Sequence, residues 1–376
     1  MNKVPITLMR GGTSKGVFLQ KKDLPEYDQE VKQLLLDIMG SPDPNQIDGL
    51  GGANSLTSKV AIIDESSDPL YDVEYTFAQV SLYDQMVDFK GNCGNISSAV
   101  GPYAIAKGLV PIQEPITKVR IFNTNTNKII TAEVEVENGR VKSEGNYSIP
   151  GVPGSGSPIF LSFENPEGAV TGKVLPTCKT IDVLSCSLGE VNASIVDIAN
   201  PLVFVRAQDI GLRGDELPEE YSTEQLALLE ELRSAAAEIC GFASKTEATA
   251  LSPATPKMAV VSKPLDYQDS AGQFHKKKDF DVLVRMMSMQ RPHKALAITG
   301  AVCITAASKI EGTILSDMID RNKQTILIGH PAGVMETIYQ EFPLTIKVGR
   351  TARLLMEGFV YTKSDYNQSF VQSIHH

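Results

Sequence analysis

The chain has 376 residues, of which 42% are hydrophobic and 21% charged, and its formal net charge is −10. This length and composition are typical of a globular protein with two or three domains. The negative net charge argues against binding to nucleic acid or to an anionic membrane, although a local basic pocket remains compatible with it. The five cysteines are scattered and never form a Cys-x-x-Cys pair, so we expect no disulfide framework, no zinc site and a reducing, cytoplasmic location.

The first 20 residues are predicted to form a hairpin. We expect no signal peptide there, because Met9-Arg10-Gly11-Gly12 stands where such a peptide would need an apolar run. Strands are predicted at 4–9 and 17–19, and the segment between them is Arg10-Gly11-Gly12-Thr13-Ser14-Lys15-Gly16. This is not a phosphate-binding P-loop, because the spacing differs and no helix follows the glycines. Two interpretations stay open: a loop that binds carboxylates, or a plain glycine turn with a solvated lysine.

A glycine-rich loop at 45–58 follows a predicted amphipathic helix at 29–39 and leads into a strand at 59–63. Lys59 stands where the polar loop meets the buried strand. An amine in that place can be partly desolvated, as a general base requires. The alternative is an ordinary solvated lysine at a strand end.

The segment Gly91-Asn92-Cys93-Gly94-Asn95 precedes the uncharged run 96–106. That run predicts a helix with no wet face, capped by Asn95 or Ser97, with a kink or early break at Pro102. Cys93 would stand just before the helix, where free N–H groups bind anions and lower the pKa of a thiol. The alternative is a Gly/Asn turn with an inert buried cysteine.

The second half repeats this design, which predicts a weak internal duplication. Strands resume at 181, a capping box at Ser222 and Gln225 begins a helix, and a second uncharged helix is predicted at 295–307. When the polar segments that precede the two uncharged helices are aligned, Ser288 and Met289 occupy the positions of Asn92 and Cys93. We predict domains at 1–180 and 181–345, with a C-terminal segment, 346–376, that returns to the first domain.

Taken together, motifs along the whole chain resemble the family of 2-methylaconitate cis–trans isomerase, with its relatives 4-oxalomesaconate tautomerase and 3-methylitaconate isomerase. The segments that carry the resemblance are Met9-Arg10-Gly11-Gly12-Thr13-Ser14-Lys15-Gly16, Gln46-Ile47-Asp48-Gly49, Gly51-Gly52, Thr57-Ser58-Lys59, Gly91-Asn92-Cys93-Gly94-Asn95, Ser288-Met289, Gly329-His330-Pro331 with Gly333, and Arg350-Thr351-Ala352-Arg353.

The resemblance implies an α/β (α+β), diaminopimelate-epimerase-like fold. Two pseudo-equivalent domains each wrap a curved, mostly antiparallel sheet around a central buried helix, with the site between them. It implies no cofactor and no metal, a small tri- or dicarboxylate substrate, no nucleic-acid or membrane partner, and a possible homodimer. The implied catalytic pair is Lys59 and Cys93. The implied substrate-binding residues are Ser14, Lys15, Asn92, Gly94, Asn95, Ser288, Met289, His330, Gly333 and Arg353.

The chemistry of these residues agrees with the implied reaction, because proton transfer next to an activated alkene needs a base, an acid and fixed donors for carboxylates. Similarity around 17–18 and 117–130 favours 2-methylaconitate as substrate, with 4-oxalomesaconate and 3-methylitaconate as alternatives. A second interpretation is racemisation or epimerisation by two facing thiols, which the second half does not supply, since Cys303 falls inside its helix. A third is a small-anion binding protein in which Cys93 is structural.

Overall fold

A computed structural model of the chain describes residues 2–89 and 91–363. These residues form two compact units. The first comprises residues 2–148, 154–160 and 350–363, and the second comprises 149–153 and 161–349. The end of the predicted C-terminal segment, 364–376, lies outside the described residues.

Five α-helices and 21 strands are found in the described residues, with short 3-10 turns between some of them. The helices are α1 (Asp28–Met39), α2 (Gly94–Ala106), α3 (Thr223–Ile239), α4 (Ala248–Leu251) and α5 (Ile298–Ala307). The strands up to residue 164 are β1 (Asn2–Gly11), β2 (Ser14–Gln20), β3 (Lys59–Glu65), β4 (Val73–Val80), β5 (Val87–Asp88), β6 (Ile116–Asn123), β7 (Lys128–Glu137), β8 (Arg140–Val141) and β9 (Ile159–Glu164). The later strands are β10 (Asp182–Cys186), β11 (Gly189–Ile198), β12 (Asn200–Arg206), β13 (Lys257–Ser262), β14 (Tyr267–Gln268), β15 (Phe274–His275), β16 (Val282–Ser288), β17 (Arg291–Pro292), β18 (Thr325–His330), β19 (Gly333–Gln340), β20 (Thr345–Arg350) and β21 (Ala352–Thr362).

The first unit is built on a sheet with the order β21-β1-β2-β3-β4-β6-β7. Successive pairs run antiparallel, antiparallel, parallel, antiparallel, parallel and antiparallel. The last strand, β21, thus pairs with the first strand of the chain. A two-residue turn at Asn138 and Gly139 joins β7 to β8 with both residues at positive φ, as a hairpin of this kind requires.

The second unit repeats this pattern strand for strand. Its order is β10-β11-β12-β13-β16-β18-β19, with the same sequence of antiparallel and parallel pairs. Helices α1 and α3 follow the third strand of each sheet, and helices α2 and α5 precede the sixth. The expected duplication is therefore confirmed, and so is the α/β class with one central helix in each half.

The two helices of the first unit cover opposite faces of its sheet. Leu34, Leu35 and Ile38 of α1 pack with Val17 and other side chains on one face, and α2 lies on the other. We call these the α1 face and the α2 face. Every residue from 94 to 105 of α2 is buried, so the predicted absence of a wet face is correct.

Helix α2 continues through Pro102 to Ala106, so the early break expected at that proline is wrong. The lost hydrogen bond is outweighed because the helix is packed on all sides. At Gly101 an added Cβ would approach Ala132 and Val134 within 3.0 Å, which shows how closely the helix approaches the sheet.

The second unit has the same layers. Leu229 and Leu232 of α3 pack on one face of its sheet, while Cys303 of α5 donates to the carbonyl of Val196 on the other. Helix α3 begins at the predicted capping box, where Ser222 and Gln225 exchange hydrogen bonds. Within the described ranges no helix has both the length and the apolar character that crossing a membrane requires.

Candidate active site

Cys93 stands immediately before α2, as the sequence predicts. It is the N-cap residue, with extended backbone (φ −113°) and no side-chain cap, and its thiol is partly exposed. Asn95 lies inside the first turn, so the expectation that Asn95 or Ser97 caps the helix is wrong. Ser97 instead donates to the side-chain oxygen of Asn92 and to the carbonyl of Cys93, both at 3.1 Å, and so holds the turn before the helix.

The glycine-rich turn at residues 11–14 rests directly on the start of α2. A Cβ at Gly11 would lie 2.4 Å from the carbonyl oxygen of Asn95, and one at Gly12 would lie 2.1 Å from its side-chain oxygen. Gly12 also has φ +51°, a conformation that favours glycine. The backbone N–H of Thr13 donates to the Asn95 side chain at 3.3 Å. Glycine at positions 11 and 12 is therefore what allows the turn to touch the helix N-terminus.

The buried hydroxyl groups of Thr13 and Ser14 have no hydrogen-bond partner among the described residues. The buried phenol of Tyr75 lies near Ser97 and Cys93. Burial raises the pKa of Tyr75 well above its usual value, and charge on the nearby Cys93 adds to the rise, while Ser97 opposes it. The phenol thus keeps its proton. Unpaired buried donors cost stability, so the Thr13 and Ser14 hydroxyls are typical of a site that awaits an anionic ligand.

Lys59 begins β3, opposite Gln79 of β4. Its side chain is buried, its Nζ donates to Oε1 of Gln79 at 2.6 Å, and Nζ lies 5.1 Å from the centre of the Phe77 ring. Val60 and Ala78, the neighbours in sequence, pack on the α1 face. Side chains alternate along a strand, so Lys59 and Gln79 lie on the α2 face, the face on which Cys93 begins its helix.

Lys15 and Arg353 are on the other side of the sheet. Arg10 pairs in register with Lys15 of β2 and with Arg353 of β21, and residues directly opposite one another share a face. Val17, two residues from Lys15, packs against α1. We call Arg10, Lys15 and Arg353 the cationic row. It lies on the α1 face, so the structure does not bring Lys15 and Arg353 together with Lys59.

The central member of the cationic row is tied to backbone oxygens. Arg10 donates from one guanidinium nitrogen to the carbonyls of Gly12 and Thr351, at 3.0 and 2.9 Å. Burial lowers the pKa of Arg10, and the charge of Arg353 lowers it further. The motif analysis gave Arg10 no separate role, and Gln79 and Tyr75 carried no signal in the sequence. The spatial neighbours of these three residues become visible only from the register of the strands.

In the second unit His330 and Gly333 lie together at the β18–β19 turn. The Tyr267 hydroxyl donates to the carbonyl of Gly333 at 2.5 Å and lies 3.2 Å from that of His330. Ring nitrogen Nδ1 of His330 accepts from the N–H of Ala332 at 3.2 Å. Gly333 has φ +133°. The turn is thus rigidly held, with a histidine that is almost fully buried.

Ser288 and Met289 occupy a different place from the one that the sequence alignment implied. Ser288 ends β16, and Met289 forms the turn into β17 at φ +51°. Hairpin β16–β17 corresponds to β4–β5, and five residues follow each hairpin before the helix. The counterpart of Cys93 is therefore Ala297, the N-cap of α5, and the alignment of Met289 with Cys93 is wrong.

The two-thiol interpretation loses its second thiol in this arrangement. Cys303 is fully buried within α5, and burial raises the pKa of its thiol far above the usual value. Neither Ala297 nor Cys303 can supply a reactive partner for Cys93. His293, which follows β17 and precedes α5 by five residues, accepts from the backbone N–H of Ala295 at 3.0 Å.

The fold is a duplicated α/β architecture whose halves differ at the N-terminus of the central helix, with Cys93 in the first and Ala297 in the second. The model of the family described as PrpF protein matches residues 1–363. A crystal structure of a methylitaconate-delta-isomerase superimposes with a TM-score of 0.82 at 46% identity, covering 96% of each chain. The chain therefore belongs to the PrpF family, and it is an isomerase.

Relatives along the full length agree with this assignment. The chain is 56% identical over 366 residues to the Bacillus subtilis protein named "Putative isomerase YraM", covering 97% of this chain and 99% of the relative. It is 47% identical over 376 residues to the 3-methylitaconate isomerase of Eubacterium barkeri (96% and 97% covered). It is 37% identical over 382 residues to the 2-methyl-aconitate isomerase of Shewanella oneidensis (95% and 96% covered).

A more distant structure bears on the fold alone. A hydroxyproline epimerase from Agrobacterium vitis matches with a TM-score of 0.58 at 12% identity, covering 96% of this chain and 93% of that chain. The epimerase-like fold expected from the sequence is thus confirmed.

Proposed function

We propose that this isomerase moves a proton on a small unsaturated di- or tricarboxylate, with Lys59 and Cys93 as its acid–base pair. The observation that carries the proposal is that both residues lie on the α2 face, beside unpaired buried hydroxyls. A helix N-terminus and free hydroxyl donors are suited to carboxylates and to the negative charge of a carbanion.

The proposed reaction conserves every atom of the substrate. The Lys59 amine takes a proton from the carbon next to the double bond, and the electron pair spreads over the alkene into a carboxylate. The Cys93 thiol returns a proton to another carbon, or to the same system after rotation about the former double bond. Solvent then restores both groups. No electrons leave the substrate, so isomerisation is the net result.

The carboxylates would be held by the Ser14 hydroxyl, by the backbone and side chains of Asn92, Gly94 and Asn95, and by the N-terminus of α2. Ser288, Met289, His330 and Gly333 remain proposed contacts on the basis of their motifs. Lys15 and Arg353 belong to the cationic row, and we propose that they act on the substrate through its negative charge rather than by direct contact.

The choice of substrate follows the relatives. We propose 3-methylitaconate first, because identity is 47% to an isomerase of that name and 37% to a 2-methyl-aconitate isomerase. This order reverses the preference drawn from short segments of the sequence. 2-Methylaconitate and 4-oxalomesaconate are the compounds to compare with it.

Proton NMR in D₂O tests the proposal. The protein is incubated separately with 3-methylitaconate, 2-methylaconitate and 4-oxalomesaconate, and one of them is expected to convert with uptake of deuterium. Lys59→Ala and Cys93→Ser are expected to slow conversion by about 10²-fold or more. Cys178→Ser, which changes an exposed thiol, is the control and should convert normally.

The outcomes separate the alternatives. Near-native turnover in both Lys59→Ala and Cys93→Ser would refute the assignment of the pair. Binding of a carboxylate without conversion or exchange would favour the small-anion binding protein instead.

A further inference from the structure

The Lys59 amine is held by one neutral side chain. Oε1 of Gln79 accepts from Nζ at 2.6 Å, and these two residues are directly opposite in the β3–β4 register. The aromatic ring of Phe77 lies beneath the amine. In the part of the chain that the structure describes, Lys59 forms no ion pair with a carboxylate.

The orientation of the Gln79 amide is determined by its other end. Nε2 donates to the carbonyl of Ser58 at 2.8 Å and to that of Ser55 at 3.2 Å. If the amide were rotated by 180°, its NH₂ group would face the lysine and its oxygen would face two carbonyl oxygens. The amide oxygen therefore has to point at Lys59, and the loop that ends in Ser58 sets that direction.

This geometry suits a lysine that must lose and regain a proton. An amide oxygen accepts an N–H from the amine in either protonation state, whereas a carboxylate would stabilise the ammonium form. One N–H of the Lys59 amine thus points at Gln79, so the other hydrogen and lone-pair positions on Nζ keep a constant direction. Fixing a reacting group in this way contributes strongly to rate, since a displacement of about 1 Å can cost about 10²-fold.

We propose that Gln79 is a positioning residue that orients the Lys59 amine and, being neutral, leaves it free to act as a base. The inference rests on the proposed function of Lys59. The competing explanation is structural, namely that Gln79 only ties the 54–58 loop to the sheet.

A second glutamine offers a matched control for that explanation. Gln46 is buried, donates to the Ser58 hydroxyl at 2.7 Å and accepts from the N–H of Ala53 at 3.0 Å. It holds the same loop, but no hydrogen bond joins it to Lys59. Gln79→Glu and Gln46→Glu therefore impose the same chemical change on the loop, and only the first places a carboxylate against the amine.

The first readout needs no substrate. Lysine side chains labelled with ¹³C at Cε are titrated by NMR in the whole protein, and Lys59→Met identifies the Lys59 signal. Gln79→Glu is expected to raise the titration midpoint of that signal by about one pH unit or more relative to the unchanged protein. Gln46→Glu should leave it in place. Equal behaviour of the two variants would overturn the proposal.

The second readout is the pH profile of turnover with 3-methylitaconate. In Gln79→Glu the acid limb should move to higher pH, so that the rate falls about tenfold on the limb and recovers on the plateau. Gln79→Met should lower kcat about tenfold or more while KM changes little. A loss in KM alone, or an unmoved limb, would assign Gln79 a structural role. If the unchanged protein converts no substrate, the proposed function fails, while the NMR titration still decides the role of Gln79.

Discussion

Replacing Ser14 by alanine should stabilise the fold and weaken the reaction at the same time. The Ser14 side chain is 2% exposed, and its hydroxyl has no partner among the described residues. The folded protein therefore carries a desolvated hydroxyl that contributes no hydrogen bond. A substrate carboxylate would be the group that makes use of it.

The expected changes in stability and in rate follow from the two states of the Ser14 hydroxyl, unpaired without substrate and bonded to a carboxylate with it. An unpaired buried hydroxyl costs about 1–3 kcal/mol, so Ser14→Ala should raise the free energy of unfolding by about 1 kcal/mol. A hydrogen bond to a charged group contributes about 1.5–3 kcal/mol. Its loss should lower kcat/KM by roughly 10- to 150-fold, at about 1.4 kcal/mol per factor of ten.

The assay combines urea denaturation with the kinetics of deuterium uptake. Ser194→Ala is the matched control, because the Ser194 hydroxyl is equally buried but donates to the carbonyl of Thr180 at 2.7 Å and accepts from the N–H of Ile314 at 2.9 Å. That variant should lose about 1–3 kcal/mol of stability. If Ser14→Ala lost stability as Ser194→Ala does, or kept full kcat/KM, the reasoning would be refuted.

Three further predictions concern the two faces, the glycine turn and pH. Lys59→Met should abolish deuterium uptake, whereas Lys15→Met, on the α1 face, should lower kcat by less than about tenfold. Equal losses of activity in the two variants would contradict the assignment of Lys59 and Lys15 to opposite faces. Gly11→Ala, whose Cβ would lie 2.4 Å from a carbonyl oxygen of α2, should cost about 1–3 kcal/mol in urea denaturation; Gly91→Ala, with nothing within 4 Å, should be nearly neutral. Burial acts to raise the pKa of Asp269, but hydrogen bonds from a histidine and two backbone N–H groups lower it below 3.8 overall. This carboxylate thus stabilises the fold above about pH 3.8 and loses that effect as pH falls through its lowered pKa, so Asp269→Asn should flatten the acid side of a stability–pH curve.

Local patterns predicted the elements well. The apolar spacing in 29–39, the capping box at Ser222 and the uncharged run after Cys93 each indicated a helix that the structure contains. These signals depend on residues three or four positions apart, which a helix brings together whatever the rest of the chain does. The break expected at Pro102 failed because packing on every side of α2 outweighs one missing hydrogen bond.

Long-range pairing was outside the reach of such patterns. The alignment of Met289 with Cys93 compared polar approaches to two helices and overlooked hairpin β16–β17, which shifts the equivalent position to Ala297. That alignment treated neighbours in sequence as neighbours in space. Ser14 and Lys15 also adjoin in the chain, but as adjacent strand residues they point to opposite faces.

The sequence by itself determined the positions of α1, α2 and α3 to within a few residues and the glycine turn after β1, because propensity, capping and glycine conformation act over a few residues. Only the tertiary structure decided which of them meet. Lys59 reaches Gln79 through the register of β3 with β4, and Gly11 reaches Asn95 through the packing of β1 on α2. Such contacts join residues 20 to 84 positions apart, and they are selected by the burial of whole sheet faces, which no short window of sequence contains.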